Sequence, residues 1–228
     1  MLEINNLKVF YGTEVAINSI SLKVSKEVVC LCGRNGAGKS TLLKTVAGVV
    51  KVDSGRILLD GKDVMKIPIY KRLKSGIGYV PEDRKLFKEM TVRENIEISR
   101  IGAGISGNKE MNINKLLPEL ESFYNRKGKQ LSGGQQKIVS IARAIVTSPK
   151  LLLFDELLEG LARALAIKIS EVVKKIKEEG KDILAAESSL DNAKLYADRV
   201  IWLERGRIIA EGTPDEIKEL MKETIRKK

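Results

Sequence analysis

Apolar and polar residues alternate along the start of the chain and then give way to a fully apolar run. The alternation over residues 2–10, interrupted once at Asn5-Asn6, is typical of a strand with one buried face. Val28–Cys32 is apolar throughout and breaks into a glycine-rich stretch, after which a helix is predicted over Lys39–Ala47, ending near Gly48. Further strands are predicted at 56–59 and 77–80.

The same rhythm of apolar runs and helical stripes returns after Pro149. The all-apolar run at 151–154 is typical of a central parallel strand. Apolar residues then recur at helical spacing from Leu161 to Ile176, which predicts a helix that packs on a sheet. Thr213 begins a capping box that starts a final amphipathic helix. The remaining predicted strands are 183–186, 200–203 and 208–210.

Between these two α/β parts, the chain from Glu82 to Thr147 is predicted to be helical and charged, with a polar, glycine-bearing loop at 102–114. A length of 228 residues suits one domain with an inserted lobe. We therefore predict a single domain that spans the whole chain. Its predicted parts are a core lobe of 1–82 and 148–228 and a helical lobe of about 83–147.

The charge balance favours anionic partners. The chain has 41 Lys and Arg against 30 Asp and Glu, a net charge of +11, which suits nucleotides, nucleic acid or an acidic membrane face without choosing among them. The sequence contains no histidine. That excludes Ser-His-Asp and Cys-His nucleophilic sites as well as every metal centre with histidine ligands.

The two cysteines and the apolar runs bear on the compartment. Cys30 and Cys32 are two residues apart on a predicted strand, so they share one face and lie too close for an unstrained disulfide. We expect both to be buried thiols in a reducing compartment. No apolar run approaches the roughly 20 residues that cross a bilayer, and the chain is expected to be soluble and to stay inside the cell.

A glycine-rich loop between the strand Val28–Cys32 and the helix Lys39–Ala47 matches the phosphate-loop pattern G-x-x-x-x-G-K-[ST]. Glycines let backbone N–H groups converge on phosphate oxygens, and the helix N-terminus adds partial positive charge. Lys39 supplies a full positive charge, and the Ser40 hydroxyl is suited to ligate Mg²⁺. The residues predicted to bind the phosphates are Gly33, Arg34, Asn35, Gly36, Ala37, Gly38, Lys39, Ser40 and Thr41.

Two acids, Asp155 and Glu156, follow the apolar run 151–154. Carboxylates at the carboxyl end of a central strand face the crevice where open α/β sheets bind ligands. In that position Asp155 would hold Mg²⁺ or its water and Glu156 would polarise an attacking water. The alternative is a pair of acids that cap a helix, which the upstream phosphate loop disfavours.

A second candidate anion site precedes an amphipathic helix. Ser132 is a natural N-cap, and Gly133-Gly134 expose backbone donors at the helix start, followed by Gln135. Taken alone, this stretch also suits an ordinary capped helix.

In combination, the phosphate loop, the Leu-Ser-Gly-Gly-Gln segment and the strand that ends in Asp-Glu resemble the ATP-binding-cassette ATPases over residues 2–212. The resemblance implies an α/β fold with a P-loop NTPase core, a RecA-like mixed sheet with flanking helices, an antiparallel β part and an inserted helical lobe. It also implies ATP and Mg²⁺ as cofactors and Tyr11 stacked on adenine. Two copies would sandwich two ATP molecules, each bound by one phosphate loop and by the other copy's Ser132, Gly133, Gly134 and Gln135.

Within this superfamily, residues 79–87 and 91–95 resemble the ATP-binding subunit of branched-chain amino-acid importers. Most cassettes have Gln after the Val-Pro pair, whereas this importer group typically has Glu, as here at Glu82. The resemblance implies that Glu82 lies near Mg²⁺ and the attacking water, with Ser40 and Asp155 as the other metal ligands. It further implies a homodimer or a heterodimer with a paralogue, transmembrane permease subunits that dock on 82–100, and indirectly a solute-binding protein. The chain would then lie in the cytoplasm, peripherally on the inner face of the cell membrane, and power uptake of branched-chain or related amino acids.

Two departures from the family pattern bear on catalysis. Ser188 occupies the position of a switch His or Gln, and Leu157-Leu158 replaces Pro-Ser. We expect hydrolysis that is slow rather than absent, with Ser188 acting through a water at the γ-phosphate. The alternatives are an ATP-gated regulatory protein and a soluble cassette that acts on nucleic acid. Scattered basic residues and an aromatic content of 4% disfavour nucleic acid as a partner.

Overall fold

The computed structural model of the chain describes residues 1–83, 86–105, 113–147 and 149–226. Its strands are β1 (Leu2–Tyr11), β2 (Glu14–Val24), β3 (Val28–Cys32), β4 (Ser54–Leu59), β5 (Lys62–Asp63), β6 (Ile77–Val80), β7 (Leu151–Asp155), β8 (Asp182–Glu187), β9 (Arg199–Glu204) and β10 (Arg207–Gly212). Its helices are α1 (Lys39–Ala47), α2 (Ile69–Arg72), α3 (Val92–Ala103), α4 (Ile113–Leu116), α5 (Gly133–Ile145), α6 (Arg163–Glu178), α7 (Leu190–Ala193) and α8 (Pro214–Arg226).

The strands form two sheets. The smaller sheet has the strand order β2-β1-β4-β5, and its strands pair antiparallel. The larger sheet has the strand order β10-β9-β3-β8-β7-β6. The strands of the larger sheet pair in parallel except for the β9–β10 hairpin. The mixed sheet and the separate antiparallel sheet confirm the predicted α/β class. Because the carboxyl ends of parallel strands meet at one edge, the loops after β3, β7 and β8 come together there.

The larger sheet is buried on both faces, as its apolar strands predict. On β3, Val28, Cys30 and Cys32 belong to a cluster that includes buried residues of α5 and α6. Val29 and Leu31 belong to a second cluster with α1 and the antiparallel sheet. Cys30 and Cys32 therefore share one face, and both are buried free thiols whose sulfur atoms lie 3.9 Å apart.

The region that sequence analysis predicts as a helical lobe contains α3, α4 and α5 and two 3-10 segments, with no named strand among its described residues. The loop predicted at 102–114 overlaps both neighbouring helices, because α3 continues to Ala103 and α4 begins at Ile113. Residues 106–112 lie outside the described part. Arg84 and Lys85 of the segment 79–87 also lie outside it. The division of the chain into a core and a helical lobe stays a prediction. In the described parts of the chain, no helix is both long enough and apolar enough to cross a membrane.

Candidate functional site

The phosphate loop joins the central strand β3 to α1 and is closed by its own lysine. The Lys39 ammonium donates to the Gly33 carbonyl at 2.9 Å and to the Arg34 carbonyl at 3.4 Å, and only 4% of the residue is exposed. Gly38 has a φ of +103°, and a Cβ on it would lie 2.7 Å from the Ala16 carbonyl oxygen. Glycine is therefore required there by both conformation and space.

A cavity of about 580 Å³ opens over this loop and collects most of the predicted site. The predicted residues that line it are Tyr11, Asn35, Gly36, Ala37, Gly38, Lys39, Ser40, Thr41, Glu82, Glu156 and Ser188. Gly33 and Arg34 do not line the cavity, and their carbonyl groups accept from Lys39. Asp155 is fully buried behind Ser40. Tyr11 is 52% exposed, which leaves its ring accessible to a ligand.

Asp155 joins the phosphate loop to two strands of the larger sheet. The Ser40 hydroxyl donates to Asp155 Oδ1 at 2.7 Å, and the Tyr79 hydroxyl on β6 donates to Oδ2 at 3.1 Å. Burial, followed by the Asp155 charge, raises the pKa of Tyr79 well above its ordinary value, so this hydroxyl remains a donor. Sequence analysis missed Tyr79, because its strand lies beside β7 only in the folded sheet.

The oxygen atoms at this point fit a magnesium ion. Mg²⁺ prefers hard oxygen ligands and commonly takes one or two carboxylates together with phosphate oxygens. The Ser40 hydroxyl and the Asp155 carboxylate, which touch each other, are such donors, and Glu82 lines the same cavity. Over the described residues, no group of three or more His, Cys, Asp or Glu side chains is arranged to hold a metal. An ion here would therefore draw part of its coordination from the nucleotide and water.

Glu156 follows β7 in an uncommon backbone conformation. Its φ is +48°, a left-handed value that is strained for a residue with a Cβ. Its N–H donates to the Ala186 carbonyl at 3.0 Å, and its own carbonyl accepts from the Lys137 ammonium at 2.8 Å. Burial raises the pKa of the Glu156 carboxyl; Lys39 opposes this shift, while Glu82 adds to it. Glu156 lines the cavity beside the phosphate loop.

Of the residues that depart from the family pattern, Ser188 contacts Glu159, which follows the altered pair in the sequence, and Leu157 and Leu158 pack into the core. The Ser188 hydroxyl donates to Glu159 Oε2 at 2.9 Å, and both side chains are exposed in the cavity. Leu157 and Leu158 are 0% and 2% exposed, so the apolar pair is anchored inside this chain. Sequence analysis singled out Ser188 and the altered loop but not the contact between them.

Glu187, immediately before Ser188, is a buried acid that sequence analysis missed. Its carboxylate accepts from the Leu158 N–H at 3.1 Å, the Tyr196 hydroxyl at 2.9 Å and the Asn192 amide at 3.4 Å. Burial raises the pKa of Glu187 to about 7. The available signal was an acid directly after the apolar run 183–186.

The Leu-Ser-Gly-Gly-Gln segment lies at the start of α5, as predicted. Ser132 is the N-cap: its hydroxyl accepts from the Gln135 N–H at 3.3 Å, and the Gln135 side chain accepts from the Ser132 N–H at 3.0 Å. Gly134 packs so closely on α6 that a Cβ would lie 2.6 Å from Leu165 Cδ2. Ser132, Gly133, Gly134 and Gln135 do not line the cavity over this chain's own phosphate loop.

Comparison with known proteins places this site in a family. The sequence profile described as "ABC transporter" matches residues 17–159. The chain is 35% identical over 217 residues to the high-affinity branched-chain amino acid transport ATP-binding protein BraG of Pseudomonas aeruginosa, covering 93% of each chain. It is 33% identical to the lipopolysaccharide export system ATP-binding protein LptB of Escherichia coli K12, covering 95% of this chain and 92% of LptB.

A solved structure gives the same result. The ATP-binding cassette MJ0796, described as a dimer in a post-hydrolysis state bound to ADP and Pi, superimposes with a TM-score of 0.85 at 26% identity, over 94% of this chain and 99% of that one. The phosphate loop, the buried Asp155 and the sheet order are thus set in a fold shared with nucleotide-bound cassettes. The chain belongs to the ABC transporter family and is one of its ATP-binding ATPase subunits.

Proposed function

We propose that ATP binds over the phosphate loop with its adenine on Tyr11 and its terminal phosphate between Lys39 and Glu156. The observation that carries this proposal is that one cavity is lined by Tyr11, Lys39, Glu82, Glu156 and Ser188. The aromatic ring suits the adenine of a nucleoside triphosphate, and the N–H donors of the phosphate loop suit its phosphates. The residues proposed to contact the phosphates are Asn35, Gly36, Ala37, Gly38, Lys39, Ser40 and Thr41, which line this cavity. Gly33 and Arg34, also predicted to bind the phosphates, do not line it and accept from Lys39 through their carbonyl groups.

Each polar group has a proposed role in hydrolysis. Lys39 releases the carbonyl groups of its own loop and donates to the outer phosphates. Ser40, Asp155 and Glu82 would hold Mg²⁺, which would neutralise phosphate charge. The Glu156 carboxylate accepts a proton from the attacking water, a role favoured by its raised pKa.

A second copy, or a paralogue, would complete the site. Ser132, Gly133, Gly134 and Gln135 do not line this chain's own cavity, yet their capped helix start presents backbone donors suited to an anion. Binding of the terminal phosphate by a partner's α5 would make ATP the link between two chains. The MJ0796 dimer supports this arrangement by its family likeness.

We further propose that the chain powers uptake of branched-chain or related amino acids at the inner face of the cell membrane. Glu82 and the likeness to BraG support this substrate class. A groove of about 320 Å³ next to Pro81, the neighbour of Glu82, is lined by apolar side chains together with two serines and Arg143, and it would receive the permease subunit. Its lining includes Val49, Leu73, Tyr79, Pro81, Ser99 and Arg143.

Uptake in the source cells tests the substrate. Disruption of the gene is expected to abolish uptake of radiolabelled leucine, isoleucine or valine, and the parent chain, but not Glu156→Gln, is expected to restore it. Uptake of all three that survives disruption, alongside intact ATPase activity of the purified chain, would reject amino-acid import while leaving the ATPase assignment in place.

The contact of Ser188 with Glu159 favours a second candidate, an ATP-gated regulatory subunit that hydrolyses slowly. A hydroxyl already engaged by a carboxylate is a weaker partner for a γ-phosphate than an imidazole. Steady-state hydrolysis with Mg²⁺ separates the two functions. If neither the parent nor Ser188→His hydrolyses ATP above background, the regulatory function is supported. If the parent hydrolyses ATP and Ser188→His hydrolyses it faster, the slowed transport ATPase is supported.

A further inference from the structure

The short loop that follows β7 is held from two sides by buried charged side chains from other elements. On one side, the Lys137 ammonium of α5 donates to the Glu156 carbonyl at 2.8 Å. On the other side, the Leu158 N–H donates to Glu187 Oε1 at 3.1 Å. Lys137 is 1% exposed and Glu187 is fully buried. Charged groups are kept inside a protein only where such contacts offset the loss of water.

The backbone of Glu156 needs this support. Its left-handed φ of +48° is unfavourable for a residue with a side chain, and a strained residue persists only where its surroundings fix it. The N–H of Glu156 is bonded to the Ala186 carbonyl. Lys137 holds the other backbone group of the residue, its carbonyl. Without Lys137, we expect the peptide to relax and to redirect the carboxylate.

The same two side chains connect three separated parts of the chain. Lys137 lies on α5, the helix that Ser132 caps. Glu187 ends β8 and directly precedes Ser188. Its carboxylate is also held by Tyr196, and the Lys137 charge stabilises its ionised form. A shift of α5 would therefore move the group that holds the Glu156 carbonyl.

We propose that Lys137 and Glu187 are positioning residues, a buried clamp that fixes the direction of the Glu156 carboxylate and couples it to α5. The proposal rests on the role proposed above for Glu156 in hydrolysis. Small misplacements of a reacting group cost about a hundredfold in rate. The hydrogen bonds that close the phosphate loop do not involve Lys137 or Glu187. We therefore expect the clamp to affect kcat and to leave the KM for ATP unchanged.

The first test replaces Lys137 with Met in the full chain, with Val139→Ala as the matched control. Both residues are buried on α5, but Val139 belongs to the apolar core. Lys137→Met is expected to lower kcat at least about tenfold, with the KM for ATP and the Kd for ADP within about twofold of the parent. Val139→Ala is expected to lose stability and keep kcat within about twofold. A kcat of Lys137→Met equal to that of Val139→Ala, or a KM that rises as kcat falls, would overturn the proposal.

The second test compares Glu187→Gln with Glu187→Ala. Glutamine keeps an acceptor for the Leu158 N–H, so kcat should remain within about threefold, whereas alanine leaves that buried donor without its partner and should lower kcat at least about tenfold. Equal losses in the two variants would contradict the clamp.

Glu156→Gln, assayed alongside, separates the two levels of inference. Parent-like hydrolysis by Glu156→Gln would reject the proposed role of Glu156. Hydrolysis lost in Glu156→Gln but retained in Lys137→Met and Glu187→Ala would reject the clamp alone.

Discussion

The two loops at the phosphate end of the cavity are held in different ways. The phosphate loop is closed by contacts within itself: Lys39 donates to carbonyl groups five and six residues earlier, and the Ala37 N–H donates to Arg34. The loop after β7 is held by residues 19 and 29 positions away in the sequence, Lys137 and Glu187. The contacts that close the phosphate loop are local, although Ser40 also donates to Asp155 and the Gly206 N–H donates to the Ala37 carbonyl. The loop after β7 is held by side chains from distant elements.

The difference matches where the sequence keeps the family pattern and where it departs from it. The phosphate loop carries every motif residue. The departures cluster in the loop after β7 and its neighbour Ser188, and there Glu159 and Ser188 contact each other. The residues of a loop that is held by distant side chains can be substituted if those side chains are substituted as well. Its substitutions should therefore alter rate or switching, whereas changes in the phosphate loop should alter binding.

The largest effect is expected from Glu156→Gln. Loss of the carboxylate that is proposed to accept the water proton should lower kcat by about 100-fold or more, while ATP affinity stays within about threefold of the parent. Steady-state hydrolysis and equilibrium binding measure the two quantities. Glu171→Gln, the same change at an exposed position on α6, serves as the control. Comparable losses of kcat and affinity in Glu156→Gln would remove the distinction between the two loops.

Stability should depend on pH through Glu187. Because the folded chain raises the pKa of Glu187 from 4.5 to about 7, it binds this proton up to a higher pH than the unfolded chain does. The free energy of unfolding should therefore fall as pH rises from 4.5 to about 7, by up to about 3 kcal/mol, and the fall should end above that range. Urea unfolding of the parent and Glu187→Gln across this range measures the difference. Parallel profiles in the two proteins would contradict the expectation.

Gly38→Ala should weaken ATP binding at least about tenfold. The new Cβ would meet the Ala16 carbonyl oxygen at 2.7 Å and Ile17 Cδ1 at 2.9 Å, at a φ of +103°. Gly180→Ala is the matched control, since its φ is +80° with nothing within 4 Å. It carries the strain of a positive φ outside the cavity, and its ATP affinity should match the parent's. Calorimetric titration with ATP compares the variants, and equal affinities for Gly38→Ala and Gly180→Ala would show that the close approach is unimportant.

Glu159→Ala should give the smallest effect. It frees the Ser188 hydroxyl and removes a carboxylate from the cavity, so ATP affinity should rise about threefold relative to ADP affinity. If Glu159 acts through Ser188, the gain should shrink in a Ser188→Ala background. An undiminished gain in that background would mean that charge alone is responsible.

Some of the fold and site was predictable because its signals are local. Val28–Cys32, Lys39–Ala47 and the Ser132 cap have the predicted bounds, since an apolar run, a glycine turn and a capping residue act within a few positions. Strand β2 was not predicted. Its buried residues change spacing between Ile17 and Ile20, where Ser19 has a φ of +60° and the β1–β2 register shifts. A bulge of this kind removes the period-two signal on which strand prediction depends.

By itself, then, the sequence determined which residues form the phosphate-loop end of the cavity. Three features were readable from the sequence: a phosphate loop, an Asp-Glu pair after an apolar strand, and a capped glycine pair. Each is defined by residues that are neighbours along the chain, so its physical cause acts within a few positions. Only the tertiary structure decided which side chains hold Asp155 and Glu156. Tyr79 on β6 contacts the Asp155 carboxylate, and Lys137 on α5 contacts the Glu156 carbonyl. Glu187 at the end of β8 holds the same loop through the Leu158 N–H. Their roles depend on burial and on hydrogen bonds across the fold, and neither has a counterpart in the spacing of residues along a chain.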